Sequence, residues 1–143
     1  MPQTRVLIVC TGNSARSQMA EGFMKKYLSD EFDITSAGLD PKPLNPLAVQ
    51  VMREIGIDIS RHYSKLVDKF IGENFDYVIT VCDSANETCP VFRGKSERLH
   101  WSFQDPAAVQ GSDDQRLAAF RNIRDEIRAR IGRFLTKPLD GKT

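Results

Sequence analysis

Val6-Leu7-Ile8-Val9-Cys10-Thr11-Gly12-Asn13-Ser14-Ala15-Arg16-Ser17 is the stretch from which the rest of the chain can be read. Its first four residues are apolar without interruption, as in a parallel strand covered on both faces. From Ser17 the apolar residues Ala20, Phe23, Met24, Tyr27 and Leu28 recur at helical spacing, which predicts a helix with one face turned inward. Between strand and helix, Cys10 to Arg16 are small or polar, so the backbone there can curl with its N–H groups pointing inward. Such a nest, with a helix dipole behind it, is an anion site. Arg16 adds a planar fork of donors suited to a tetrahedral oxyanion. The same field favours the thiolate form of a cysteine, which is the nucleophile. The Ser17 hydroxyl is placed to donate a hydrogen bond to that sulfur. The spacing Cys-x5-Arg-Ser says little alone; set between an apolar strand and a helix, it points to Cys10 as a nucleophile. A buried, inert strand-end cysteine beside a solvated arginine is the bland alternative, and it gives no reason for an anion-binding turn.

The composition sets limits on this reading. A chain of 143 residues suits one domain, residues 1–143, with one core. With 41% hydrophobic and 27% charged residues it has the make-up of an ordinary globular protein. A formal net charge of +1 offers no basic field for nucleic acid. No apolar run reaches the length of a membrane span. Met1-Pro2-Gln3-Thr4-Arg5 lacks the basic-then-apolar layout of a signal peptide. These features predict a cytoplasmic protein without membrane or nucleic-acid partners, where thiols stay reduced. A monomer is expected. Three cysteines is an odd count, which favours reactive or metal-bound thiols over a structural disulfide framework.

Outward from the loop, strands and helices alternate. Phe32 to Ala37 reads as a second strand that stops at Gly38. Asn45 is an expected N-cap with Pro46 at the first helical position, and Gly56 closes that helix. Ser64 is expected to cap a short helix carrying Leu66, Val67, Phe70 and Ile71. Asp76 to Val81 is the third strand, with Cys82 at its C-terminal end, and Arg98 to Trp101 a short fourth. Phe103 to Pro106 is a loop, and Ser112-Asp113-Asp114-Gln115 has the capping-box pattern before a long C-terminal helix. The alternation predicts an α/β fold, a four-stranded parallel sheet with helices on both faces. Ligands of such sheets bind outside the carboxyl ends of the strands. Cys10, Cys82 and Asp105 all follow strands at that rim. Asp105, in a loop stiffened by Pro106, is the candidate acid for a departing oxygen; its plainer role is a turn residue before proline.

Cys10 to Ser17 followed by Gln18-Met19-Ala20-Glu21-Gly22 resembles the thioredoxin-coupled arsenate reductases, which share the fold of the low-molecular-weight tyrosine phosphatases. The likeness runs on through Val81-Cys82-Asp83-Ser84-Ala85-Asn86-Glu87-Thr88-Cys89-Pro90 to Trp101-x-Phe103-x-Asp105-Pro106, nearly the whole chain. It implies that Thr11, Gly12, Asn13, Ser14, Ala15, Arg16 and Ser17 bind arsenate, that Cys10 attacks it and that Asp105 is the acid. It also implies a relay: Cys82 resolves the Cys10–arsenic adduct, Cys89 then attacks Cys82, and thioredoxin reduces the Cys82–Cys89 disulfide. Glutaredoxin is the competing reductant. No cofactor is expected. Some members hold potassium with residues matching Asn13, Glu21 and Ser36 and an acid where this chain has Lys65. An ammonium there would repel a cation and satisfy the acceptors itself, or Lys65 is simply a solvated residue.

Other assignments of these residues carry less. Zinc would use Cys82 and Cys89 with His62 or His100, but Cys-x6-Cys is not a usual zinc spacing and no paired histidines follow, so no metal is expected. Cys82 and Cys89 as incidental buried cysteines remain a simple alternative. If residues 82–89 are helical when reduced, the two Cα atoms lie about 10 Å apart along the axis. A disulfide needs about 4.4–6.8 Å, so closing it would require unwinding. A low-molecular-weight protein tyrosine phosphatase would share Cys10, Arg16 and Asp105 but not need Cys82 and Cys89. It would favour aromatic residues after Asp105-Pro106, where this chain has Ala107-Ala108. A non-catalytic oxyanion or redox sensor would need no acid at all.

Overall fold

A computed structural model describes residues 4–28, 32–81 and 96–136. The apolar stretch forms β1 (Thr4–Cys10), in which Val6, Leu7, Ile8 and Val9 are wholly buried. Burial on both sides of one strand requires strands beside it and cover above and below. β2 (Phe32–Gly38) and β3 (Tyr77–Thr80) flank β1, and β4 (Glu97–His100) lies at the far edge, giving the order β2-β1-β3-β4. All three pairings are parallel, as expected. β4 is a polar edge strand: Glu97, Arg98 and His100 are exposed, which discourages pairing with another chain along that edge. Each fully buried aliphatic residue contributes about 1.5–3 kcal/mol, so β1 is the structural centre of the core.

Among the described residues the α-helices are α1 (Arg16–Tyr27), α2 (Pro46–Arg53) and α3 (Asp113–Thr136). Phe134 of α3 lies edge-on to Tyr77 of β3 with ring centroids 5.5 Å apart. Arg5, on the other face of β1 from Val6, lies over the Phe75 ring at 4.5 Å and pairs with Asp33 and Glu73, so the segment around residues 67–75 covers that side. The caps of α2 and α3 follow their sequences. Asn45 accepts from the Leu47 N–H at 2.8 Å, and Gly56 adopts φ 82 where α2 ends. Ser112 and Gln115 exchange both bonds of a capping box, at 2.8 and 3.2 Å.

Four expectations need correction. α1 is not buried on one face: Ser17 to Met24 are buried without a break, and Tyr27 is 43% exposed. The polar residues Ser17, Gln18 and Glu21 are buried there because partners await them. Gly22 lets Ile59 come close, since a Cβ would meet Ile59 Cγ2 at 2.8 Å. Ser64 caps nothing; the turn that follows is a 3-10 helix, Val67–Phe70, with Leu66 in the capping position. The expected loop holds from Phe103 to Asp105, but Pro106 opens a second 3-10 turn, Pro106–Ala108, where Asp105 accepts from the Ala107 and Ala108 N–H groups. The fourth strand begins and ends one residue early, although the Trp101 N–H still donates to the Thr80 carbonyl at 2.8 Å. Cys82, Cys89 and the short helix expected at residues 83–89 lie outside the described residues.

Candidate functional site

β1 ends at Cys10, whose register partner on β2 is Gly38. A side chain at Gly38 would strike the loop, because a Cβ there would meet the Thr11 carbonyl at 2.7 Å and the Asn13 nitrogen at 3.0 Å. The loop therefore folds down against β2, and the segment after β2 holds it from outside. The N–H groups of Leu39, Asp40, Lys42 and Asn45 donate to the carbonyls of Cys10, Thr11, Gly12 and Ser14 at 2.9–3.2 Å. The Ala15 carbonyl accepts from Met19, and that of Asn13 from Gln18 Nε2 and Ser64 Oγ. Every carbonyl from Cys10 to Ala15 is thus turned outward to a partner. In a trans peptide the N–H points opposite to the carbonyl, so the loop's N–H groups face its enclosed side. One of them, that of Asn13, donates to Cys10 Sγ at 3.2 Å.

Asn13 organises this curl. It is fully buried with φ 49, a left-handed conformation that asparagine tolerates better than most residues. Its Oδ1 accepts from the Lys65 N–H at 2.9 Å, which fixes the orientation of the amide. Nδ2 then spends one hydrogen on Ser17 Oγ at 2.7 Å and the other on Ser36 Oγ at 2.9 Å. Ser17 Oγ accepts from Asn13, so its own hydrogen is left for Cys10 Sγ, 3.0 Å away. Ser36 donates onward to Glu21 Oε1 at 2.5 Å. The result is a chain of hydrogen bonds that runs outward from the Asn13 amide, through Ser36 to a buried carboxylate and through Ser17 to the cysteine, which is itself 2% exposed.

α1 starts on this loop without a cap. Ala15 in the capping position offers no side-chain bond, and the first turn holds no acid. The orphan N–H groups of a helix start thus meet no carboxylate or hydroxyl from a capping side chain. Arg16, the first helical residue, turns to the other side of the rim. Its Nη1 donates to the Phe103 carbonyl at 3.0 Å and its Nη2 lies 3.8 Å from Asp105 Oδ2. Asp105 keeps its second oxygen, Oδ1, on the Ala107 N–H at 2.9 Å. The turn reading of Asp105 holds, since it caps its own turn, and its other oxygen faces the loop's arginine. Cys10, Arg16, Ser17 and Asp105 are therefore joined at one rim.

Several residues here were not foreseen. Gln18 ties the Asn13 carbonyl to that of Tyr63, and His62 Nδ1 sits 3.0 Å from Gln18 Oε1. Ser64, expected as a cap, donates instead to the carbonyls of Asn13 and Lys42. The ammonium beside Glu21 belongs to Lys25, at 2.5 Å, whereas Lys65 Nζ donates to the Tyr63 carbonyl at 2.9 Å. The one sequence signal for this network was the run of polar residues, Ser17, Gln18 and Glu21, in the first turns of α1. Burial pushes the Lys65 ammonium below the ordinary lysine range; Glu21 opposes this, and Lys25 and Lys69 reinforce it.

Comparison with known proteins places these features in context. Residues 5–142 match the model of the low molecular weight phosphotyrosine protein phosphatase family. An arsenate reductase of Halalkalibacterium halodurans is 49% identical over 129 residues, covering 90% of this chain and 93% of its own. A solved structure of an arsenate reductase in the phosphate binding state superposes with a TM-score of 0.80 at 33% identity, over 94% of this chain and 98% of that one. The thioredoxin-dependent arsenate reductase of Corynebacterium glutamicum matches with a TM-score of 0.71 at 28% identity, over 99% of this chain and 64% of that one.

Proposed function

The chain belongs to the low molecular weight phosphotyrosine protein phosphatase family, and from that membership we propose that it reduces arsenate to arsenite through three cysteines. The observation that carries the anion half of this reading is the bare start of α1, whereas α2 and α3 are capped by Asn45 and Ser112. An uncapped helix N-terminus behind inward-facing N–H groups, with a guanidinium at its edge, suits a tetrahedral dianion. Thr11 to Ser17 would cradle arsenate. The Cys10 thiolate then attacks arsenic in line, and Asp105 protonates the departing oxygen, which leaves as water. Ser17 steadies the sulfur before attack.

The electron half rests on Cys82 and Cys89. The Cys82 thiolate attacks the Cys10 sulfur, forming a Cys10–Cys82 disulfide. The electron pair of the sulfur–arsenic bond stays on arsenic, which leaves as arsenite. Cys89 attacks Cys82, releases the Cys10 thiolate and leaves a Cys82–Cys89 disulfide, which two electrons from thioredoxin reopen. The support for thioredoxin is the likeness to a thioredoxin-dependent relative. A reducing cytoplasm is the compartment this relay requires. Potassium is a poor fit to the residues present, since Ser36 and Lys25 already engage both oxygens of Glu21. The relay needs no cofactor.

The test is NADPH oxidation coupled through thioredoxin and its reductase, with arsenate added. Cys10→Ser should abolish turnover. Asp105→Asn should slow it by about 10²–10⁴-fold. Cys82→Ser and Cys89→Ser should abolish multiple turnover yet spare any hydrolysis of an aryl phosphate. Normal thioredoxin-driven turnover by Cys89→Ser would overturn the relay, and turnover with glutaredoxin alone would reassign the reductant. Aryl-phosphate hydrolysis without arsenate reduction would return the chain to the phosphatases of its family.

A further inference from the structure

Behind the loop, on the far side of Asn13, lies a cavity of about 300 Å³ whose walls carry Lys25, Arg61, Lys65, Lys69 and a single acid, Glu21. The chain as a whole is nearly neutral, with a net charge of +1, so this is a local excess and not a general one. Glu21 offers the cavity little compensation. Its Oε1 accepts from Ser36 and its Oε2 is paired with Lys25 at 2.5 Å. Among the described residues, Arg61, Lys65 and Lys69 have no carboxylate at ion-pair distance. Asp58 and Asp68 are exposed and do not line the cavity.

We propose that this cavity is a second anion site, separate from the loop, that takes a small multivalent oxyanion of the phosphate or sulfate class. Three cations without an ion-pair partner among the described residues surround one concave space, with Glu21 and Asp58 acting on Lys65 and Arg61 only from further away, and a dianion between them would relieve their repulsion. Burial is the main cause that depresses the Lys65 ammonium; Glu21 opposes it, and Lys25 and Lys69 add to it. Tyr63 forms a wall: its ring is 4.6 Å from the Lys65 ammonium, and its carbonyl accepts from both Lys65 Nζ and Gln18 Nε2. Gln18 also holds the Asn13 carbonyl, and the Lys65 N–H holds the Asn13 side chain. Cavity and loop therefore share Asn13 as a common wall, each holding it by its own hydrogen bonds. A cation would face the opposite balance, with three unpaired positive charges against it.

The experiment is a titration of the full chain with sodium sulfate, and separately with sodium phosphate, followed by amide NMR at constant ionic strength held with sodium chloride. Two saturable sets of shifts are expected, one on Gly12 to Ala15 and one on Thr35, Tyr63 and Lys69, with different midpoints. The double substitution Arg61→Ser and Lys69→Ser removes two cations that touch nothing in the loop. It should weaken the second set at least about tenfold, about 1.4 kcal/mol, and leave the first unchanged. The proposal is overturned if the wild-type shifts at Thr35, Tyr63 and Lys69 do not saturate. It is equally overturned if they follow the loop's midpoint in both proteins. Saturation by one of the two anions alone would name the ligand's source. The readout is binding, so it stands or falls apart from the arsenate reading.

Discussion

Asn13 carries more of the site than its place in the loop suggests. Its side chain makes three hydrogen bonds, to Lys65, Ser17 and Ser36, and its backbone holds a left-handed conformation at φ 49. Asn13→Ala would leave a buried N–H and two hydroxyls without their partner, and would strain the backbone as well. Its expected cost is about 2–4 kcal/mol in urea unfolding. Asn13→Gly loses the same bonds but tolerates the conformation, so it should be less destabilising by about 0.5–1 kcal/mol. Equal losses in the two variants would show that the strain is not felt. The residue types of the loop announced an anion site; the fact that one asparagine fixes the serine, and through it the sulfur, came from the geometry.

Among the elements, the contrast between helix starts is the informative feature. α2 and α3 begin with side chains that satisfy their first N–H groups, and α1 begins with Ala15, which has none. A cap serves stability, and a bare start leaves room for a ligand. Ser112→Ala should therefore lower the unfolding free energy by about 1 kcal/mol in a denaturant titration and leave arsenate turnover unchanged. A fall in turnover would mean that α3 is coupled to the rim more closely than its contacts indicate. The capping signals of α2 and α3 were legible because they are local: Asn45-Pro46 and Ser112-x-x-Gln115 bond only within their own turn. The 3-10 turn at Val67–Phe70 was not, because Ser64 found better acceptors in the carbonyls of Asn13 and Lys42, distant in sequence.

At the scale of the molecule, the parallel sheet delivers residues far apart in sequence to one end of the strands. Cys10 ends β1, and Asp105 lies in the loop after β4; Arg16 spans between them. Beneath the rim, burial lowers the proton affinity of His62 below the usual 6.5; Glu21 opposes this, and Lys25 and Lys65 reinforce it. The unfolded chain therefore binds a proton at His62 that the folded chain resists. Stability from this group is present above pH 6.5 and is lost as pH falls toward the depressed folded value. Unfolding free energy measured between about pH 7.5 and 5.5 should decline, and His62→Asn should flatten that decline. An unchanged slope in the variant would assign the effect to other groups.

The sequence alone determined the strand–loop–helix unit, the alternation that gives the parallel α/β class and the place of Cys10 at the strand's end, because each is written in local patterns of residues. A short unbroken apolar run bounded by turn residues reads as an inner strand, and small polar residues before a helix leave the backbone free to curl. Tertiary structure decided which groups hold the curl in place. Gly38, Gln18, Ser64 and the Lys65 N–H reach the loop from three other parts of the chain. No periodicity marks such partners, since a buried polar atom is satisfied by whichever group the packing brings within 3 Å. The same packing set four basic side chains around one cavity, although in sequence Lys25, Arg61, Lys65 and Lys69 look like scattered surface charges.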